Sequence, residues 1–322
     1  MNRTLKVTVA IMLMMLVVFV IGCVETDGSK TNTSDFVVPE GGIDGAFTIN
    51  KEGNRVCFSQ GNLQYNPHSG IWRFAENQYD LLVTEREMTF TNPYNSRGFG
   101  QVAKVTSKYS ADYDGWIDLF GWGTSGWNSG VRSFLPYDTC ARYSDYLCKN
   151  LTDEFANADW GVNNSISNGG NKVGIWRTLT SDEWDYICNK RRTDSGIRFV
   201  KAKVNGVKGV VLVPDNWKKD KFKFNKCNKS NSSFDSNVID CYLWLTIETS
   251  GCVFLPAAGF RQKDVVRSIG HLGAYWSSTI DKDAHDRTHP AYCASFIESE
   301  FTPTNRFFRP EGLSVRLVAP IE

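Results

Sequence analysis

Only four histidines occur in the chain, and no two of its nine cysteines stand at C-x-x-C spacing. That excludes a legible zinc knuckle or dithiol redox pair. Phosphate loops, serine elbows and dinucleotide fingerprints are also missing. Basic and acidic residues nearly cancel, leaving a net charge of +1, so no electrostatic footprint for nucleic acid exists and no nucleic-acid partner is expected. Long apolar runs are absent from the body of the chain. An enzyme needs a positioned nucleophile or acid–base pair, and none is legible, so no catalytic activity and no cofactor are expected. His285 and His289 are four apart, a spacing that turns two ligands the same way only on a helix. Pro290 and the flanking loop composition argue against a helix there, so these two and His271 are not expected to bind metal.

What the sequence does hold is aromatic surface: 13% of residues, ten of them Trp, together with 27 Gly. High aromatic and glycine content with few long helical patterns points to many short strands joined by long loops, an α+β architecture. At the N-terminus, Asn2, Arg3 and Lys6 flank an apolar run from Val7 to Ile21. A short basic segment followed by a short hydrophobic one is the form of a secretory signal, and the run is too short for a convincing membrane span. Val20-Ile21-Gly22-Cys23 resembles the bacterial lipobox, which implies cleavage before Cys23 and lipidation of its thiol. The expected place is then the bacterial cell envelope, lipid-anchored at the outer-membrane surface. Residues 23–40 read as a flexible tether, and residues 41–322 as a single, monomeric domain with an N-terminal hairpin region and a C-terminal display region at 273–318.

Eight cysteines remain after Cys23. Export would permit disulfides, with Cys140–Cys148 and Cys227–Cys241 able to close small loops; buried thiols are the equal alternative. Cys293 is expected to be unpaired.

Gly45–Ile49 and Arg55–Ser59 read as a hairpin across Lys51-Glu52-Gly53-Asn54. Asn62–Tyr65 and Ile71–Phe74 continue the strand pattern. Trp116, Phe120, Trp122 and Trp127 lie among glycines; they can line a sugar-binding platform or fill the core, and core is favoured because large aromatics dominate burial. Thr180 with Glu183 three residues on, before Trp184, Ile187 and Cys188, is a capping-box helix start. Val210–Pro214 reads as a strand, Phe222–Asn237 as a surface insert with a locally basic stretch at Lys218–Lys229. Leu243–Thr246 and Cys252–Pro256 read as segments entering the final sheet, and Phe260-Arg261 as leading a polar loop into His271.

The C-terminal stretch organises the rest. Gly273–Thr279 reads as a strand, and Leu313, Val315 and Leu317 alternate with Ser314 and Arg316 as a half-buried strand does. Between them, Ala291–Glu298 is a third strand, with Tyr292, Ala294 and Phe296 toward the core and Cys293, Ser295 and Ile297 toward the surface. Residues 281–290 and 302–310 follow no period and read as loops. They mix charge, imidazole and two adjacent Phe, the composition that binding surfaces favour. The plainer reading is a terminal sheet with long loops.

Gly-Ala-Tyr-Trp-Ser-Ser-Thr, an irregular insert and Gly-Leu-Ser-Val-Arg-Leu-Val resemble the C-terminal half of C-type-lectin-fold domains. The similarity is to bacterial surface families that include the variable proteins of diversity-generating retroelements and FISUMP-like major paralogous domains. The capped helix is similar to that of formylglycine-generating-enzyme-like domains of the same fold. The resemblance implies a C-type lectin fold, in its formylglycine-generating-enzyme-like variant, over residues 41–322. In the retroelement family a reverse transcriptase mutates adenines, so exposed Asn codons diversify. The resemblance puts such ligand-binding positions at Ile280, Asp281, Asp283, His285, Asp286, Arg287, Thr288 and His289, then Cys293, Ser295 and Ile297, then Thr304, Asn305, Arg306, Phe307, Phe308 and Arg309. It implies a protein or glycan ligand on another cell or phage surface. The paired late cysteines of the copper-dependent formylglycine-generating enzymes have no counterpart beside Cys293, and the Glu-Pro-Asn and Trp-Asn-Asp signatures of calcium-dependent animal lectins do not occur. A formylglycine-generating-type or other enzyme on this fold, and a structural part of a surface appendage or uptake complex, are the competing functions.

Overall fold

The N-terminal hairpin forms where the pattern places it. In the computed structural model, which describes residues 36–83, 88–90, 101–104, 108–128, 134–138, 149–218, 222–283 and 290–322, β1 (Phe47–Thr48) and β2 (Arg55–Phe58) pair antiparallel. The signal segment, Cys23, most of the tether, Cys140 and Cys148 lie outside the described residues. The last strand, β17 (Leu317–Ile321), runs antiparallel to the free side of β2, and β7 (Arg177–Thr178) completes the order β1-β2-β17-β7. The beginning and end of the unit Phe36–Glu322 are thus held in one sheet.

A second sheet has the order β10-β8-β9-β11, with β8 at Phe199–Val204, β9 at Val207–Leu212 and β11 at Val253–Pro256. These three are antiparallel, and the short β10 (Val238–Ile239) lies parallel to β8. β3 (Leu63–Asn66) and β4 (Ile71–Phe74) form a separate hairpin. The sheet β12-β13-β6-β5 joins Phe260–Gln262 and Val265–Ile269 to Gln101–Lys104 and Met88–Phe90. The polar loop expected between Phe260 and His271 is therefore a hairpin, turned at Lys263, whose φ of 55° is left-handed. Small antiparallel sheets with few helices make an α+β fold.

The helices are short. The capping box forms as read: Thr180 accepts from the Glu183 backbone and Glu183 accepts from the Thr180 backbone, starting α1 (Ser181–Asp185), which continues as a π turn over Tyr186–Lys190. The expected strand at Leu243–Thr246 is instead part of α2 (Cys241–Glu248). Asp240 caps it by accepting from Leu243 N at 2.8 Å, and Trp244 and Ile247, three apart, bury together. No helix of the described residues is long and apolar enough to cross a membrane.

The expected half-buried strand at 313–318 is buried on every side. Leu313, Val315 and Leu317 lie in the core, but so do Ser314 and Arg316. Arg316 Nη2 donates to Gln78 Oε1 at 2.5 Å and Nη1 to Asn62 Oδ1 at 3.4 Å. A buried charge persists only with such partners. Gly312 is required beside this segment, because a Cβ there would meet Leu119 O at 2.6 Å.

Candidate functional site

The site is built on the three-stranded antiparallel sheet β14 (Gly273–Ile280), β15 (Ala291–Ile297) and β16 (Glu300–Phe307). Gly273 begins it because the Phe296 ring lies against its backbone, where a Cβ would meet the ring at 2.1 Å. Register slips between Trp276 and Ile280, freeing residues 277–279 from the ladder. Those residues tie the sheet to its surroundings: Ser278 N donates to Leu179 O, Leu151 N to Ser278 O, and Ser181 N to Thr279 Oγ1. The Trp122 indole donates to Ser277 O at 2.9 Å, and the Trp276 indole to Phe120 O at 2.7 Å. Phe120 and Trp122 are thus core, not a sugar platform, and the face of half-buried Trp116 is covered by Arg73, 3.9 Å from its centroid.

β15 is buried on both faces, which overturns the expected inside–outside alternation. Ala294 and Phe296 pack with Tyr275 and Trp184 on one side; Cys293 packs with Trp122, Trp160 and Trp276 on the other. A central strand covered on both faces carries apolar residues at successive positions. Cys293 is fully buried and Ser295 nearly so, while Tyr292, expected in the core, is half-buried.

The expected loop at 302–310 is largely strand. β16 is an edge strand with Pro303 at a slip in register, the place where proline is tolerated in a sheet. Thr304, Asn305 and Arg306 are exposed along it. Asn305 Nδ2 donates to Ser295 Oγ at 2.7 Å, and Asn305 Oδ1 accepts from Arg306 N at 2.8 Å, which fills part of the open edge.

The neck of the 281–290 insert closes on the β14–β15 end. Asp281 N donates to Pro290 O at 2.8 Å, and Ile280 pairs with Ala291. The Asp281 carboxylate accepts from Arg306 Nη1 at 2.7 Å and from Asp283 N at 3.1 Å, and it is bonded by the Tyr292 hydroxyl. Burial alone raises this carboxyl; the bonds from Arg306 and Asp283 outweigh it and hold the group below the usual carboxylate range.

Beside this pair opens a cleft of about 390 Å³ lined by Phe260, Pro290, Arg306, Phe307, Phe308 and Glu311. Phe260 and Phe307 meet edge to face, centroids 5.5 Å apart. Phe308 is 38% exposed. The cleft is mostly apolar, with one guanidinium and one carboxylate at its rim. A second cleft of about 310 Å³ is lined by Lys149, Asn150, Thr152, Asp153, Glu154, Phe155 and Lys282. Asn150 Oδ1 there accepts from Ile280 N.

No family model, curated protein or solved structure matches the chain.

Of the positions singled out in the sequence, the fold brings Asp281, Arg306, Phe307 and Phe308 together, with Asn305 adjoining and Asp283 exposed at the neck. Ile280, Cys293 and Arg309 are buried beneath them and present no side chain to a ligand; Arg309 O accepts from Trp122 N. Ser295 is also buried, and half-buried Ile297 stands at the far end of the sheet. His285, Asp286, Arg287, Thr288 and His289 lie outside the described residues. His271 precedes β14, at the end remote from Asp281, and burial lowers its pKa. Among the described residues no three His, Cys, Asp or Glu side chains converge to hold a metal. Phe260, Pro290, Glu311 and Tyr292 join the site unannounced. The hairpin that carries Phe260 brings it to Phe307, a contact no local pattern encodes.

Proposed function

We propose that the chain is a surface-anchored ligand-binding protein on a C-type lectin scaffold, with its ligand engaged at the end of β14–β16 where the 281–290 insert leaves the sheet. The observation that carries this is the cleft between Phe260, Phe307 and Phe308, rimmed by Arg306 and Glu311 and steadied by the Asp281–Arg306 pair. Exposed aromatic and Arg side chains held on a rigid frame are what binding hot spots use. Lipid on Cys23 tethers the protein and makes engagement multivalent. In this reading the retroelement-type diversification falls on the exposed positions Asp283, Thr304, Asn305, Arg306 and Phe308, with half-buried Phe307, together with the insert.

Two experiments test it. Purified protein is screened on arrays of glycans and envelope proteins. Arg306→Ala with Phe308→Ala should abolish whatever the wild type binds while the protein still unfolds cooperatively, at a melting temperature lowered only by loss of the Asp281–Arg306 pair; retained binding sinks the site. Sequencing the DNA around the gene tests diversification: the expected finding is a near-repeat differing at adenines and a neighbouring reverse-transcriptase gene.

A further inference from the structure

A second face of the molecule carries features that ligand capture does not use. Helix α2 buries Trp244 and Ile247 on one side, yet Tyr242 and Leu245 on its other side are 84% and 59% exposed. Three residues apart on a helix, they share one face. Val238 on β10, just before the helix, is 67% exposed. Large apolar side chains clustered in the open mark an interaction surface.

The chain fastened beside this face is basic. Residues 218–229 hold six lysines against one aspartate in a protein of net charge +1. Asn225 N donates to Asn237 Oδ1 at 2.8 Å and Asn237 Nδ2 to Asn225 O at 3.0 Å, which zips this segment to the residues leading into β10 and α2. Phe224 is buried against Trp217, centroids 5.5 Å apart, so the backbone is anchored while Lys223, Lys226 and Lys229 stay exposed. Among the described residues the carboxylates beside this segment are engaged: Asp235 lies 3.6 Å from Lys203, Asp240 caps α2, and Glu298 accepts from Ser233 Oγ.

We propose that this face, Val238, Tyr242 and Leu245 flanked by Lys223, Lys226 and Lys229, rests on an anionic lipid bilayer. Apolar side chains next to clustered lysines are what an interfacial, anionic-lipid-binding surface requires. A protein partner matched to the aromatic and aliphatic groups alone leaves the lysine excess without a counterpart. Position agrees. Lys201 Nζ donates to Ser230 O, and to Ile297 O and Glu298 O at 2.7 and 2.8 Å, and Ser233 Oγ donates to Glu298 Oε1. The insert is therefore fixed to the β15–β16 turn, a full strand away from Ala291 and the cleft, roughly 20 Å at the usual rise per residue. Docking here leaves the Phe308–Arg306 cleft at the end of the sheet away from this contact. The inference does not depend on the cleft's being a ligand site.

The test is backbone hydrogen exchange across residues 238–248 in the full chain, reconstituted with phosphatidylcholine vesicles or with phosphatidylcholine–phosphatidylglycerol vesicles. Exchange should slow on the anionic vesicles alone and recover in high salt. Each of Lys223→Gln, Lys226→Gln and Lys229→Gln should lower the docked-to-free ratio roughly fivefold. Tyr242→Asp with Leu245→Asp, both on exposed positions, should remove protection with the circular dichroism spectrum unchanged. Equal exchange on the two vesicle types overturns the proposal. So does protection that rises with protein concentration in the absence of lipid, which would mean that a second copy covers the face.

Discussion

Arg306 reaches across from the edge strand to Asp281 at 2.7 Å, and the two ends of this ion pair differ: the Arg306 side chain is 57% exposed, the Asp281 side chain 1%. Arg306 is therefore available to a ligand, whereas Asp281 is the post that holds it and the insert neck. Arg306→Ala leaves a buried carboxylate short of a partner and should lower stability at neutral pH. The Asp281 carboxyl sits below its ordinary range in the folded protein, so its stabilising contribution is present at neutral pH and disappears as pH falls through that depressed value. The difference between wild type and Arg306→Ala should accordingly shrink in acid. Urea midpoints from pH 7 down to pH 3, combined with Asp281→Asn and the double variant, give the coupling directly; a pH-independent difference would contradict this assignment.

Gln78 should be among the costliest polar residues to remove. Its amide donates to Glu248 Oε1 and Cys252 O, and its carbonyl accepts from Phe254 N and from Arg316. Burial lowers the Arg316 pKa to about 10, so the guanidinium is still charged at neutral pH. Gln78→Leu strips that charge of its best acceptor and should cost on the order of 3 kcal/mol. Gln78→Glu keeps an acceptor for Arg316 but turns a carboxylate oxygen onto Glu248 Oε1 and Cys252 O, so it too should destabilise. A Gln78→Leu protein as stable as wild type in urea would show that Asn62 alone satisfies Arg316.

How much of this was readable beforehand follows from whether the cause is local. Thr180 and Glu183 are three residues apart, and their reciprocal bonds needed nothing else. The β1–β2 hairpin, β3, β4, β14 and β15 were likewise written in turn residues and period. The burial of Arg316 is not legible, because an outward-facing Arg and a buried one look the same in an alternating strand; what decides is Gln78, 238 residues away. β16 carries a loop-like pattern because an edge strand with Pro303 at a register slip loses its period. Helix α2 had a local sign, Asp240 before an apolar run, that strand-like Leu-Trp-Leu-Thr outweighed. The cleft was half legible: Arg306, Phe307 and Phe308 stood out by composition, but Phe260 and Glu311 arrive only through tertiary contact.

Thiol chemistry separates two groups of cysteines. No disulfide joins the six described ones, so the Cys227–Cys241 bridge allowed by the sequence is not formed. Cys57, Cys188, Cys252 and Cys293 are buried, and burial pushes the Cys57 and Cys188 thiols up to about 12 and raises the Cys252 and Cys293 thiols well above their ordinary range. Thiolate is the reactive form, so these four should resist alkylation in the native protein. Half-buried Cys227 and Cys241 should label first. Mass spectrometry after a brief maleimide pulse reads the order; early labelling of Cys293 would put it at the surface after all.

Asp118 makes the stability of the fold depend on pH in the direction opposite to Asp281. It is buried between the bridges Ile117–Tyr65 and Phe120–Leu313. Burial raises its pKa from an ordinary 3.8 to about 7, against the opposing pull of the Lys108 ammonium. Between these two values the folded chain holds a proton that the unfolded chain has released, so stability falls as pH rises through that window. A gap of this size corresponds to a loss on the order of 4 kcal/mol by the alkaline end. Asp118→Asn removes the ionisation and keeps the shape, so at pH 8 it should unfold at higher urea than wild type and at pH 4 at nearly the same concentration. The Tyr109–Arg261 stack nearby, 4.1 Å from cation to ring centroid, stays intact in the variant and keeps the comparison to one group. Parallel urea midpoints for the two proteins across the range would mean that Asp118 is ionised in place, with Lys108 close enough to carry it.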